Sequence, residues 1–340
     1  MKRIILSLFS FFTFLVVFNA CSTDVDLYAD YKDITVVYGL LDSDADTNFI
    51  KINKAFLGPG NALEIAMIAD SCNYPGKLDA KLIEYRANAS GTNYQKTTEI
   101  PLDTITIHNK EQGIFYAPEQ KVYYTTHRIK NNTSQYKYRY ELIIDRGDTI
   151  ISSITDMVGG GLFTIPQSVI NLSAYASNGT LSWYACPNAS IYEVVVKFYF
   201  TEVRGQDSVQ KCLNWPMGSH PESQLVYEDG EYSIQYKPSM FFYNLAVMLG
   251  TDTLNNNVER LFFEPSIEVS VAAGGTELYN FITVNGPSNS IVQTIPEYTN
   301  IKGGYGVFSS RTMCKKRMRF TSSSLINLTS HQNWHFRQAQ

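Results

Sequence analysis

From residue 34 onward, apolar side chains recur at every second position over short stretches, the period of a strand with one buried face. The cleanest case is Tyr136, Tyr138, Tyr140, Leu142 and Ile144, interleaved with Lys137, Arg139 and Glu141. The turn Asp145-Arg146-Gly147-Asp148 then predicts a hairpin partner over 149–154. Further strands are predicted over 34–38, 49–52, 77–85, 104–107 and 121–126. In the second half they are predicted at Leu181-Ser182-Trp183, over 191–200 with Tyr192, Val194, Val196, Phe198 and Phe200 on one face, and over 267–271 and 281–284. Two segments break this rhythm. Asn61 with Glu64 three residues later reads as a capping box, opening a short helix over 62–70. Residues 238–249, carrying Met240, Phe241, Leu245, Met248 and Leu249, read as an apolar helix.

The fold class expected is all-β, two β-sandwich-like domains with short helical inserts. Gly159-Gly160-Gly161 reads as a flexible joint, and the boundary is placed there: 34–157 for the first domain, 158–340 for the second. In the second, Trp183 on one strand and Tyr192 opening the next resemble the aromatic pair of a fibronectin type III sandwich.

The N-terminus follows a different pattern. Met1-Lys2-Arg3 is cationic, and residues 4–18 form an apolar run without a charge. A permanent spanning helix needs roughly 20 apolar residues, so this run reads as a secretory signal over 1–20. It ends Val17-Phe18-Asn19-Ala20-Cys21, which resembles the lipobox of bacterial lipoproteins, with Phe18 where that pattern prefers Leu. The resemblance implies a lipid on Cys21, which then opens the mature chain, and a polar tether over 21–33. At about 0.8 kcal/mol per buried CH₂, several acyl chains on one cysteine give a durable anchor. No cofactor beyond this covalent lipid is expected.

Composition narrows the partners. Without residues 1–20 the chain keeps 26 basic and 32 acidic side chains, net −6, which argues against nucleic acid. Four cysteines remain besides Cys21, namely Cys72, Cys186, Cys212 and Cys314. Cys186 and Cys212 bracket the strand over 191–200 and are the candidate disulfide for an oxidising compartment. No CxxC is present, so cysteine ligation of a metal is not expected.

Several segments together are similar to an uncharacterised family of Bacteroidetes outer-membrane lipoproteins. They are Val37-Tyr38-Gly39-Leu40-Leu41, the stretch Ile50-Lys51-Ile52-Asn53-Lys54-Ala55-Phe56-Leu57-Gly58, and Gly113-Ile114-Phe115-Tyr116-Ala117. The most specific is Pro296-Glu297-Tyr298-Thr299-Asn300-Ile301 running on through Gly303-Gly304-Tyr305-Gly306-Val307-Phe308-Ser309-Ser310-Arg311. The resemblance implies an outer-membrane address and a two-part β body, with no reaction attached. Asp24 and Asp26 resemble the acidic surface-export signal of such bacteria, and both the cell surface and the periplasmic face stay open.

Candidate chemistry is sparse. Asp42, Asp44 and Asp46 offer oxygen ligands, but Thr47 and Asn53 stand where a calcium loop needs Gly and Glu. An acidic hairpin turn explains them better. Arg146-Gly147-Asp148 spells an integrin-type tripeptide in a place where a hairpin needs its turn. His331 and His335 share the four-residue spacing of a metal pair, in a segment with little helical support. Gly303-Gly304-Tyr305-Gly306 lacks the βαβ context of a nucleotide loop and reads as a glycine-kinked turn or bulge. There is no G-x-S-x-G, H-E-x-x-H or P-loop. Lys315, Lys316, Arg317 and Arg319 form a basic run suited to an anionic surface, or simply to a solvated strand.

These readings lead to a non-enzymatic binding or structural lipoprotein, contacting another envelope component, such as an envelope protein, or an external macromolecule through loops or sheet edges. The alternative is a glycan-binding accessory whose Tyr and Trp side chains stack on sugars.

Overall fold

The computed structural model describes residues 32–57, 61–108, 110–250, 257–286, 297–331 and 333–339. The expected leader, Cys21 and the expected tether through residue 31 lie outside the described residues. The chain is mostly β, in three sheets.

The first sandwich begins with β1 (Lys32–Asp42) and β2 (Asn48–Leu57), an antiparallel hairpin. Two short helices follow, α1 (Ala62–Ala66) and α2 (Ala69–Cys72). Then come β3 (Asp79–Asn88), β4 (Gln95–Pro101), β5 (Asp103–Ile107), β6 (Gln120–Thr125), β7 (Tyr136–Asp145) and β8 (Ile150–Asp156). Strands β4-β3-β7-β8 make a four-stranded sheet that faces β1 and β2. Alternation along β7 works as the sequence implies: Tyr138, Tyr140, Leu142 and Ile144 are buried against Val37, Leu41, Ile50 and Ile52. Full burial of one such side chain contributes roughly 1.5–3 kcal/mol. Tyr136 stays at the exposed end.

The second sandwich contains β9 (Phe163–Ile165), β10 (Val169–Ile170), β11 (Gly179–Tyr184), β12 (Ala189–Arg204), β13 (Asp207–Pro221), β14 (Val226–Glu228) and β15 (Glu231–Tyr236). After these come α3 (Ser239–Leu249), β16 (Val258–Phe262), β17 (Ile267–Gly275), α4 (Thr276–Asn285), β18 (Gly304–Phe320), α5 (Ser322–Thr329) and β19 (Phe336–Gln338). Strands β14-β15-β11-β9 form the smaller sheet. Trp183 on β11 meets Tyr192 on β12 with ring centroids 5.6 Å apart, so the expected aromatic pair joins the two layers. Phe198 lies at the centre of this core, edge-on to Phe241 of α3 and to Phe262 and Phe320.

One long strand unites the halves. The first part of β18 pairs in parallel with β1, from Thr35 opposite Gly304 to Asp42 opposite Arg311. Its second part pairs antiparallel with β17, from Gly274 opposite Arg311 to Ile267 opposite Met318. The result is a single eleven-stranded sheet running through both sandwiches. A fibronectin type III domain, built of antiparallel sheets, has no such continuation. Ile301 and Phe308, from beyond residue 158, complete the first core.

Three local expectations are corrected. Residues 281–284 are helical, inside α4, and not a strand. The β-branched run suggested otherwise, but the helical arrangement lets Phe281 pack against Tyr38. The Asn61 cap forms, its side chain accepting from the Leu63 amide and donating to Glu64, yet the helix stops at Ala66 and restarts at Ala69. Gly159-Gly160-Gly161 is not a loose joint. Gly159 is buried, and a Cβ there would lie 2.7 Å from Pro187; at Gly161 it would lie 2.6 Å from the Cys186 sulfur. These glycines let two segments cross closely.

Candidate functional site

The outer face of the β1–β2 hairpin carries the most promising concavity. Alternation sends Val37, Ile50 and Ile52 into the core, so Val36, Tyr38, Lys51, Asn53 and Ala55 point the other way. The α1–α2 insert and the loop over 110–116 rise beside this face and leave a cavity of about 560 Å³. Its walls include Val36, Tyr38, Ala55, Leu63, Ala66 and Phe115, with Lys51, Asn53, Lys54 and Lys110 as polar groups.

The insert is held in place by named bonds. Asn53 Nδ2 donates to the Cys72 carbonyl at 3.1 Å, tying β2 to α2. The Tyr116 amide donates to the Ala66 carbonyl at 2.8 Å, tying the loop to α1. Tyr74 Oη and Thr35 Oγ1 share a bond of 2.6 Å, fastening the chain after α2 to β1. Ala66 is buried because only a small side chain lets this turn lie so close.

Two cationic side chains meet in this recess. Burial pushes the Lys51 ammonium below the ordinary lysine range, and the charge on Lys110 pushes it further. Lys110 Nζ donates to the Tyr116 carbonyl at 2.5 Å and lies 5.8 Å from the Phe115 ring centroid. No side-chain ion pair is seen for Lys51 or Lys110 among the described residues, whereas Lys54 sits 3.5 Å from Asp33. Asn53 Oδ1 is buried without a hydrogen-bond partner. The lining residues Leu63, Ile114 and Phe115, and Met67 and Ile68 of the insert, are all more than half exposed. A neighbouring cavity of about 480 Å³ also has Tyr38 in its wall, with Leu40, Leu278, Phe281 and Ile282 and the charged Asp42 and Arg311.

The residues singled out from the sequence fall elsewhere. Cys21 lies outside the described residues. Cys186 and Cys212 are free thiols and are not bridged, which corrects that expectation. Cys186 precedes β12, while Cys212 is opposite Tyr199, seven residues beyond Tyr192 on that strand, so more than ~20 Å separates them. A disulfide needs Cα atoms closer than about 7 Å. Burial pushes the Cys186 thiol up to about 12, and its electrostatic neighbour is Cys314.

The basic run divides by the strand period. Lys315, Arg317 and Arg319 are exposed on one face of β18, while Lys316 is half-buried on the other. Arg317 is already engaged, 3.2 Å from Glu268 and 4.3 Å from the centroid of the Tyr199 ring.

The remaining candidates are structural. Arg311 occupies Asp42 Oδ2, and the Asp44 amide donates to Asp42 Oδ1, as an acidic turn requires. Arg146 pairs with Asp148 and also donates to the Asp33 carbonyl, so the tripeptide's guanidinium is pinned. His331 stacks on Trp334 at 3.9 Å, and His335 adopts a left-handed backbone with φ +51°. Among the described residues no three His, Cys, Asp or Glu side chains gather to hold a metal. Also among them, no helix is long and apolar enough to cross a membrane.

Sequence reasoning missed the cavity. Lys51 and Lys110 are far apart in the chain, and only the insert and loop bring them together. The one available signal was the lysine at an outward position of a strand flanked by a glycine-rich, alanine-rich insertion.

No protein-family model and no curated protein matches this chain. Among solved structures, one match is described as the crystal structure of CBD12 from CALX1.2. It is 9% identical, covers 83% of this chain and 99% of that one, and superposes with a TM-score of 0.14.

Proposed function

We infer that this chain is an envelope lipoprotein, held to the outer membrane by a lipid on Cys21, whose β body has a non-enzymatic binding role. The cavity over the β1–β2 hairpin is its binding site. A single observation supports the binding role: a concave, mainly apolar surface lined by Lys51 of β2 and Lys110 of the adjoining loop, with Lys54 beside them paired to Asp33. Ligand sites have this composition, apolar walls with a few converging polar groups. The leader and lipobox-like segment support the address, and residues 22–31 are long enough to hold the body near a membrane.

The address is tested by growing cells with an alkyne-tagged fatty acid and following the label. The wild-type chain should carry label and sediment with membranes. A Cys21→Ala chain should carry none and lose membrane retention. Unlabelled wild-type protein, or undiminished retention of the variant, overturns the address.

A glycan-binding accessory is the second reading, favoured by Tyr38, Phe49 and Tyr305, each roughly half exposed on strands of this face. Phe49 and Tyr124 lie side by side with centroids 6.3 Å apart, but their planes are tilted by 39°. A flat sugar-stacking platform needs coplanar rings, so the cavity supports the first reading better. Retention on immobilised polysaccharide that is lost with Phe49→Ala would reverse this preference.

A further inference from the structure

We propose that the cavity between the β1–β2 hairpin and the α1–α2 insert binds a single-chain amphiphile with a carboxylate head, of the fatty-acid type. This deepens the binding role inferred above and depends on the cavity, not on the address.

Charge complementarity selects the head. Lys51 and Lys110 share a mainly apolar recess, beside a third lysine, Lys54, that Asp33 already pairs. Neither Lys51 nor Lys110 has a side-chain carboxylate partner among the described residues. An anion placed between them removes their mutual repulsion, and low local dielectric strengthens that attraction. A carboxylate would bridge the two ammonium groups with charge-assisted hydrogen bonds.

The walls select the tail. Val36, Ala55, Leu63, Ala66 and Phe115 offer aliphatic and aromatic carbon without a competing carboxylate. The neighbouring cavity on the far side of Tyr38 is lined by Leu278 and Phe281 but also by Asp42 and Arg311, so the tail site proposed is the first cavity alone. Apolar burial contributes about 0.8 kcal/mol per CH₂, so affinity should rise with chain length. Inorganic anions use only the head site and should bind far more weakly. The exposed basic strip on β18 lacks such walls, which sets it apart as a control.

The test is calorimetric titration of the chain from residue 22 onward, which retains every described residue and both cores. The probes are dodecanoate, dodecanol and dodecylamine, each below its aggregation concentration. Dodecanoate should bind one per chain, at least about tenfold tighter than dodecanol, with dodecylamine weakest; that tenfold is about 1.4 kcal/mol. The Lys51→Met/Lys110→Met chain should bind acid and alcohol alike. Leu63→Glu, at an exposed position that leaves the core intact, should weaken dodecanoate by a similar factor. Lys315→Met/Arg319→Met should change nothing. The proposal fails if dodecanoate does not bind, if it binds no better than dodecanol, if the lysine pair is dispensable, or if the β18 variant abolishes the preference. Circular dichroism and a thermal melt of each variant separate lost binding from lost fold. The titrated chain lacks Cys21, so lysine-dependent binding supports the site and its absence refutes the site, while the address is tested separately by the lipid label.

Discussion

Arg311 Nε donates to Asp42 Oδ2 at 3.0 Å, joining residues 269 positions apart. The bond sits at the register point where β18 leaves β1 and takes up β17. Half of the arginine side chain is in solvent, so the ion pair itself contributes at most about 1 kcal/mol. Its importance is positional. The strand that carries Arg311 closes the first sandwich from the far end of the chain, and the two halves cannot be separated at residue 158 without breaking that sheet.

A chain of residues 34–157 alone should therefore fail to fold cooperatively. Without β18, β1 loses its parallel partner, and the core loses Ile301 and Phe308. Filled-to-empty changes at such positions cost about 2–5 kcal/mol each, a large share of a small domain's stability. Thermal unfolding followed by circular dichroism should show no sharp transition. A cooperative melt with native-like β signal would show that the first sandwich is self-sufficient.

How much of this was legible depends on whether burial is one-sided. In β7 and β12 one face is buried and the other wet, so a period of two showed both strands in the sequence. α4 was not legible because Ile282, Thr283 and Val284 favour strands locally, and a tertiary contact of Phe281 with Tyr38 decides otherwise. The pairing of β18 with β1 has no local signature at all, since a parallel partner is chosen across the whole fold. The cavity suffers from the same blindness: Lys51 looked like any outward strand lysine until the insert covered it. Cys186 and Cys212 misled because bracketing a strand in sequence places two residues at its opposite ends.

The buried ion pair in the second sandwich should be strongly coupled. Arg260 Nε donates to Glu202 Oε2 at 3.1 Å, both side chains almost without solvent contact, and Arg260 Nη1 donates to the Trp334 carbonyl. Glu202→Leu leaves the guanidinium buried and unpaired, which should cost about 3–5 kcal/mol in urea unfolding. Glu202 Oε1 also pairs with the partly exposed Arg204 and Lys211; the Glu202→Leu/Arg260→Met chain should still recover much of that loss, because both fully buried charges are gone and the two outer cations reach solvent. A double variant as unstable as the single one would mean that the two side chains do not interact energetically.

Gly306→Ala should destabilise the sheet junction sharply. Gly306 has φ +110°, and a Cβ there would sit 2.0 Å from the Val37 carbonyl oxygen, which is fixed in β1. Backbone cannot yield as a flexible side chain would, so a loss of at least about 2 kcal/mol is expected. Gly160→Ala, with open space around its Cβ position, is the control and should stay within about 0.5 kcal/mol of the parent. Equal denaturation midpoints for the two variants would refute the close approach of β18 to β1.

Glu277 should make the protein less stable at neutral pH than it need be. Burial raises its carboxyl above the usual range, and the nearby Asp156 carboxylate adds to the shift; donation from Ser309 and Thr155 hydroxyls to Oε2 offsets it only in part. The group holds its proton more tightly folded than unfolded. Its favourable contribution is thus fully present below the unfolded value near 4.5 and fades as pH rises through the higher folded value. Glu277→Gln keeps an oxygen to accept both hydroxyls and never ionises. The variant should match the parent at pH 4 and exceed it at pH 7, with the gap opening between the unfolded and folded pKa. Chemical denaturation at both pH values measures it. A variant less stable than the parent at pH 7 would show that the charged carboxylate is favoured at this position.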